Sequence, residues 1–413
     1  MILELSVAYL RNRPLITALN TLLLALGVGM IILLLLASDR VEQRLTRDAA
    51  GIDLVIGAKG SPLQLILSSL YHADIPTGNI PYAEFERWSR HELVDFIIPL
   101  ALGDTFSGAR IVGTNPTYPE HYGAILGEGR YWQSPFEAVL GAAFAEKAGL
   151  AIGDRFVGSH GLAPGGPAHG DFPYVVVGIL APTDSIIDRI ILTSLDSVWQ
   201  SHGFSGNAGE EMPNSTQLND SATVTNANRH PLAVTALLVQ YQTPFAATQL
   251  PLAVNQTSGL QAAAPAWEMA RLLSLIGVGV NTLRGFGLLL MASAALSLFV
   301  ALTTALQERR HDLAVMRILG ASPGTLWRQM LLEGLLLAAL GGLLGVGLGH
   351  AAASVLAAFS PDAEALGLSG LTAHIEELYV VGLALAIGLL AAAVPAIQAY
   401  RTDIANVLAT GRA

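Results

Sequence analysis

The chain has 413 residues, enough for two or three domains. Apolar residues make up 52% and charged residues only 13%, too little charge for a wholly water-soluble protein. The formal net charge of -10 excludes nucleic-acid binding driven by electrostatics, and the absence of cysteine excludes disulfides, thiolate metal sites and cysteine nucleophiles.

Residues 1–13 predict an amphipathic cytoplasmic helix, Ile2 to Arg11, lying along the membrane surface. Residues 14–38 predict a first transmembrane span. Its apolar run exceeds the roughly 7–15 residues of a signal peptide and leads straight into Asp39 and Arg40. An uncleaved anchor is therefore expected.

Residues 39–284 predict a large α+β external domain. It carries 23 acidic against 14 basic side chains, nearly all of the chain's negative excess. Strand-like runs lie at Asp53 to Ile56, Phe96 to Leu100, Tyr174 to Leu180, Ile190 to Leu192 and Val234 to Tyr241. Helical stretches lie at Pro81 to Arg90 and Pro135 to Ala148, with a turn from Gly149 to Asp154 entering a strand. Residues 201–231 are polar, rich in Asn, Ser, Gly and Thr, and read as a mobile insert. Ala264 to Leu283 reads as a helix, so stalk helices continuing spans one and two are expected.

Three more spans follow, at 285–306, 330–358 and 378–399, each close to the roughly 20 apolar residues that a bilayer requires. The fold class is thus a membrane protein with four transmembrane α-helices and an α+β domain between helices one and two. The connection 307–329 holds Arg309, Arg310, Arg317 and Arg328, whereas 359–377 holds only acidic charges. By the positive-inside rule, 307–329 and both termini, including the tail 400–413, are cytoplasmic. The external domain of an inner-membrane protein would then be periplasmic.

Glycines at Gly341, Gly345 and Gly349 recur every fourth residue and predict a close helix–helix seam, within the chain or between protomers. Glu333 sits about one turn inside the third span. It reads as an interfacial group near Arg328, with a proton relay as the functional alternative. His350 reads as hydrogen-bonded. The spans offer no obvious polar path for a solute.

Several catalytic motifs nearly appear. Gly57 to Ser61 lacks the order of a P-loop, and His91 to Asp95 begins like a zincin helix but ends in aspartate. Gly320 to Gly324 matches a nucleophile elbow by letters, yet no strand precedes it. An enzyme is not expected. His160, His169 and Asp171 share a Gly/Pro-rich loop and are weak metal candidates, the plainer reading being solvated loop histidines.

The loop QERRHDLAVMRILGASPGTLWRQ carries an apolar helical stripe flanked by arginines, suited to docking on a cytoplasmic partner or to resting on lipid. The segment ERRHDLAVMRILGAS closely resembles the signature of FtsX-like permeases, the family that includes MacB, LolC and LolE. EAVLGAAFAEKAGLAIGDRF, with YVVVGIL after it, resembles the MacB-type periplasmic core domain. No fused ATPase accompanies them in this sequence, unlike MacB.

The resemblance implies the permease subunit of an ABC transporter that works by mechanotransmission. ATP would be used by a separate cytoplasmic ABC ATPase, with no cofactor bound by this chain. Glu308, Arg309, Arg310, Leu313, Met316 and Arg317 match the family's coupling segment. A second copy or a paralogous permease, and a periplasmic partner, are also implied. A regulatory scaffold activating a periplasmic partner, and metal- or siderophore-linked transport, are the alternative readings.

Overall fold

The computed structural model describes residues 2–161, 170–203, 232–257, 259–360 and 367–401. The chain divides into two compact units, Met1–Gln43 with Ser274–Ala413, and Arg44–Leu273.

Helices Pro14–Asp48, Pro265–Glu308, Pro323–Phe359 and Glu376–Tyr400, which lie in the first unit except for residues 44–48 and 265–273, are each long and apolar enough to cross a membrane. At 1.5 Å per residue the first two are about 52 and 66 Å long, well beyond a hydrocarbon core of about 30 Å. Residues 265–283 of the expected stalk segment lie in the second helix. Two short helices, Ile2–Asn12 and Arg310–Ile318, complete this unit. Leu289, Val300, Leu343 and Leu390 point outward from the spanning helices, an arrangement suited to lipid and wasteful in water.

Small residues set how closely the helices approach. A Cβ built on Gly345 would lie 2.5 Å from the Val28 Cβ and 2.9 Å from the Ala25 carbonyl oxygen. Gly341 meets Leu24 and Gly349 meets Ile32 in the same way, so the glycine seam packs on helix Pro14–Asp48 of the same chain. On another face, a Cβ on Gly334 would lie 2.6 Å from the Ala392 Cβ, closing the pair Pro323–Phe359 and Glu376–Tyr400.

In the second unit the strands are β1 (Leu54–Ala58), β2 (Ile80–Pro81), β3 (Val94–Phe106), β4 (Ala109–Thr114), β5 (Leu126–Gly129), β6 (Glu137–Leu140), β7 (Arg155–Phe156), β8 (Ser159–His160), β9 (Tyr174–Leu180), β10 (Ile191–Ser194), β11 (Ala233–Val234), β12 (Ala236–Tyr241) and β13 (Leu260–Ala263). Eleven of them make one mixed sheet in the order β13-β1-β12-β3-β4-β10-β6-β9-β5, with β7 on β9 and β8 on β3. The pairs β4–β10 and β6–β9 are parallel. The long strand β3 joins β12 through its first half and β4 through its second.

Side-chain alternation explains the layers. Val55, Ile98, Leu100, Leu238, Val139 and Leu192 enter one apolar core. Their neighbours Leu54, Ile56, Ile97, Leu237 and Val239 enter a second. Ala138, Leu140, Val176 and Ile191 enter a third, with Phe144, Phe156 and Tyr174. The sheet is therefore buried on both faces and reads as near-continuous apolar runs.

Two expectations are corrected. Residues 135–148 do not form one helix: Glu137–Leu140 is strand β6 and the helix is Ala142–Ala148. Pairing with β9 and β10 outweighs the local helical composition. Gly141 then turns the chain against the Ile187 and Asp188 backbone, where a Cβ would collide. Residues 201–203 do not belong to an insert, because Ser201 ends helix Leu195–Ser201 and His202 follows as its cap. The remainder, 204–231, lies outside the described residues.

His72 is buried with φ +52, its Nε2 2.9 Å from the Tyr118 hydroxyl. Burial, then the nearby Arg110 guanidinium, lowers its pKa from 6.5 to about 3. The unfolded chain binds a proton there before the folded chain does. The stability His72 supplies is complete above about pH 6.5 and is lost as the pH falls from there toward 3. Asn tolerates the positive φ, so in His72→Asn the difference from the parent chain should shrink steadily between pH 6.5 and 5, read as melting temperature in detergent. Gly345→Val should cost roughly 1–3 kcal/mol through overpacking, lowering the melting temperature, whereas Gly347→Ala, which faces open space, should not lower it.

Candidate functional site

The cytoplasmic connection is built from helix stops and starts. Helix Pro265–Glu308 ends before Arg309, whose backbone (φ -97, ψ 3) leaves the helical region. Helix Arg310–Ile318 follows, and Gly320 breaks it with φ +100. Ser322 caps the next helix by accepting a 3.3 Å bond from the Thr325 amide, with Pro323 at its first position. Gly320 to Gly324 is therefore a helix break rather than a nucleophile elbow.

Arg309 and Glu333 meet here. Arg309 Nη1 lies 3.1 Å from Glu333 Oε1, with side chains 10% and 2% exposed. The guanidinium also lies 3.7 Å over the Tyr9 ring, a cation–π contact. Glu308 pairs with Arg13. The amino-terminal helix and its junction to the first span are thus tied to the connection by two charged contacts.

These contacts correct the expected surroundings of Glu333. Its partner is Arg309, while Arg328 is exposed. Five residues of helix rotate a side chain by about 140°, so Arg328 and Glu333 lie on different faces.

The other predicted coupling residues divide by face. Ala314 is buried, and Met316 packs against Leu306, Leu326, Met330 and Ala396. Arg317 is half-buried. Val315, Ile318 and Leu319 are exposed, Leu319 by 81%. Arg310 and Leu313 belong to the helix, but their side chains lie outside the described residues. Sequence reasoning did not select Tyr9, Arg13 or Ile318, whereas Leu319 belongs to the apolar stripe it recognised in this loop. The available signal was Glu333 itself, since a carboxylate within an apolar span requires a cation.

Toward the opposite end of helix Pro323–Phe359, His350 Nδ1 contacts the Gly370 carbonyl at 2.8 Å and Nε2 contacts Glu377 at 3.0 Å. His374 contacts Asp39 at 3.5 Å, and its amide donates to Glu377.

Of the predicted metal candidates, His160 is brought to Asp104 and His202, neither of which had been selected. Asp171 is exposed and stands apart from that group, and His169 lies outside the described residues. His91 to Asp95 forms a turn entering β3, not a zincin helix. Gly57 and Ala58 end β1, and Ser61 caps helix Pro62–Ser69.

Residues 17–242 match the profile of the MacB-like periplasmic core domain, and residues 284–404 match that of the FtsX-like permease C-terminal region. Among solved structures, the chain is similar to the periplasmic region of MacB from Actinobacillus actinomycetemcomitans, at 11% identity and a TM-score of 0.33, over 56% of this chain and 98% of that one. It is also similar to the extracellular domain of the noncanonic ABC-type transporter YknZ from Gram-positive bacteria, at 12% identity and a TM-score of 0.30, over 51% and 98%. No curated protein sequence matches it.

The buried ion pair predicts strong coupling. Arg309→Met or Glu333→Leu alone leaves one charged group stranded and should cost about 3–5 kcal/mol. Arg309→Met combined with Glu333→Leu should recover most of that loss. Melting temperatures of the four proteins in detergent close the cycle, and simple additivity would refute the coupling.

Proposed function

Because the chain belongs to the FtsX-like and MacB-type permease family, we propose that it is the membrane subunit of an ABC-type mechanotransmission system driven by a separate cytoplasmic ATPase. The observation that carries this reading is the helix Arg310–Ile318, held between two membrane-crossing helices with an anchored face and an open one. Ala314 and Met316 fasten it inward, while Val315, Ile318 and Leu319 offer an apolar surface. Arg310, Leu313 and Arg317 are proposed to join that surface in docking the ATPase. Arg309, committed to Glu333 and Tyr9, is assigned to transmission instead, and Glu308 to the contact with Arg13.

In this reading, closure of the ATPase pushes on the short helix. The Arg309–Glu333 pair passes the push to helix Pro323–Phe359. The seam at Gly341, Gly345 and Gly349 passes it to helix Pro14–Asp48, which leads the chain into the external domain. The work is then done on a substrate at the external face, by export or extraction. The scarcity of polar groups along the spans favours this over conduction through the bilayer. A second copy or a paralogue would complete the pair of permeases, and ATP would be bound by the partner alone.

The test is co-purification with a co-expressed cognate ABC ATPase. Ile318→Glu with Leu319→Glu should reduce the ATPase recovered by at least about tenfold, equivalent to about 1.4 kcal/mol, with little change in the permease's melting temperature. Undiminished recovery would refute the docking assignment.

A further inference from the structure

We propose that Asp104, His160 and His202 form a binding site for a divalent transition-metal cation of the zinc class in the external domain. The three side chains come from three segments. Asp104 stands on β3 where its pairing with β4 shifts register, between Leu102 and Asp104. His160 ends β8 and pairs across from Asp104. His202 caps helix Leu195–Ser201.

Local structure makes room for the convergence. A Cβ on Gly103 would lie 3.1 Å from His202 Nε2, so a larger residue there would crowd the imidazole. β8 is fastened beside it: the Gly161 amide donates to the Gly103 carbonyl at 2.9 Å, and Thr105 Oγ1 donates to the Gly161 carbonyl at 2.7 Å. Such outer contacts hold ligands in place before a metal arrives.

The spacing matches a coordination sphere. Asp104 Oδ1 lies 3.2 Å from His202 Nε2 and 3.4 Å from His160 Nδ1. All three candidate ligand atoms lie within 4.8 Å of one another. Bonds of roughly 2.0–2.2 Å in a tetrahedron place neighbouring ligand atoms about 3.3 Å apart. The imidazole rings meet edge-to-face rather than stacked, 5.2 Å between centroids and inclined at 64°.

Exposure is graded across the group. The Asp104 side chain is 2% exposed, His202 17% and His160 55%. The carboxylate is thus the inner ligand and His160 the outer one, on the side by which an ion would enter. Two imidazole nitrogens and one carboxylate oxygen suit Zn²⁺ and its neighbours, whereas Mg²⁺ and Ca²⁺ require mostly oxygen. Three protein ligands leave a fourth position for water or an incoming ligand, the pattern of an open site rather than a closed structural one. A bound ion would tie β3, β8 and the end of helix Leu195–Ser201 together. This site is independent of the ATPase-coupled reading and stands or falls without it.

The experiment uses the full-length, tag-free protein in detergent, stripped of metal and titrated with ZnCl₂ by calorimetry. One Zn²⁺ per chain at micromolar affinity or tighter is expected, with a rise in melting temperature. CoCl₂ should give the visible absorption of a tetrahedral site. Asp104→Asn and His202→Gln should each weaken binding by about 100-fold or more, exceeding the loss typical of outer-shell changes. His91→Gln, outside the cluster, should leave it unchanged. Should either core variant fail to fold, His160→Gln replaces it, because that side chain is half in solvent. Absence of saturable binding, or binding that survives these substitutions, would overturn the proposal and leave the group as hydrogen-bonded fastening.

Discussion

A carboxylate on an apolar spanning helix must be neutralised where it stands, and Glu333 is neutralised by Arg309. Separating either group from its partner strands a polar or charged group away from water, so the pair fixes more than its own geometry. It holds the end of helix Pro265–Glu308 against helix Pro323–Phe359. Through Tyr9 it also holds the amino-terminal helix beneath them. The short helix Arg310–Ile318 begins immediately after this knot, so its attitude is set before its own side chains make any contact.

The external domain is organised by a different constraint. A sheet with apolar layers on both faces needs every strand to carry large side chains in both directions, and β1, β3 and β12 do so residue by residue. That arrangement leaves little tolerance for polar groups inside. Several of the buried polar residues are bound to specific partners: His72 to Tyr118, Thr193 to Ser197, and Asp188 to the Thr183 and Asp184 amides.

Legibility in the sequence followed the range of the deciding interaction. The four spans were readable because bilayer thickness acts on composition over about 20 residues. Tyr174–Leu180 was readable because its tyrosine, three valines and isoleucine favour a strand within one short segment. A helix start such as Ser322-Pro323 is legible in principle because capping is local. Glu137–Leu140 was not, because its composition suits a helix and only pairing with β9 and β10 makes it a strand. The partner of Glu333 was missed because Arg309 lies 24 positions away along the chain, while Arg328 lay nearby and drew the assignment. The grouping of Asp104 with His160 and His202 was beyond reach for the same reason. It depends on a β3–β8 pairing that nothing in the intervening sequence announces.

Glycine frequency in the spans bears on how force could travel in the proposed role. Gly27 faces Met291 and the Gly287 carbonyl, Gly29 faces the Gly345 carbonyl, and Gly334 faces the Gly388 carbonyl. Gly27 also meets the Met291 side chain, but at Gly29 and Gly334 backbone meets backbone without a long side chain between. A contact of that kind resists compression, since no rotamer is available to absorb displacement. Leucine-to-leucine packing would yield first at the side chains and lose the motion locally. A bundle joined in this way is poorly suited to opening a conduit through itself, because separation would expose helices to each other across empty space. In the proposed function such a bundle would move as a body, which close small-residue packing of this kind favours.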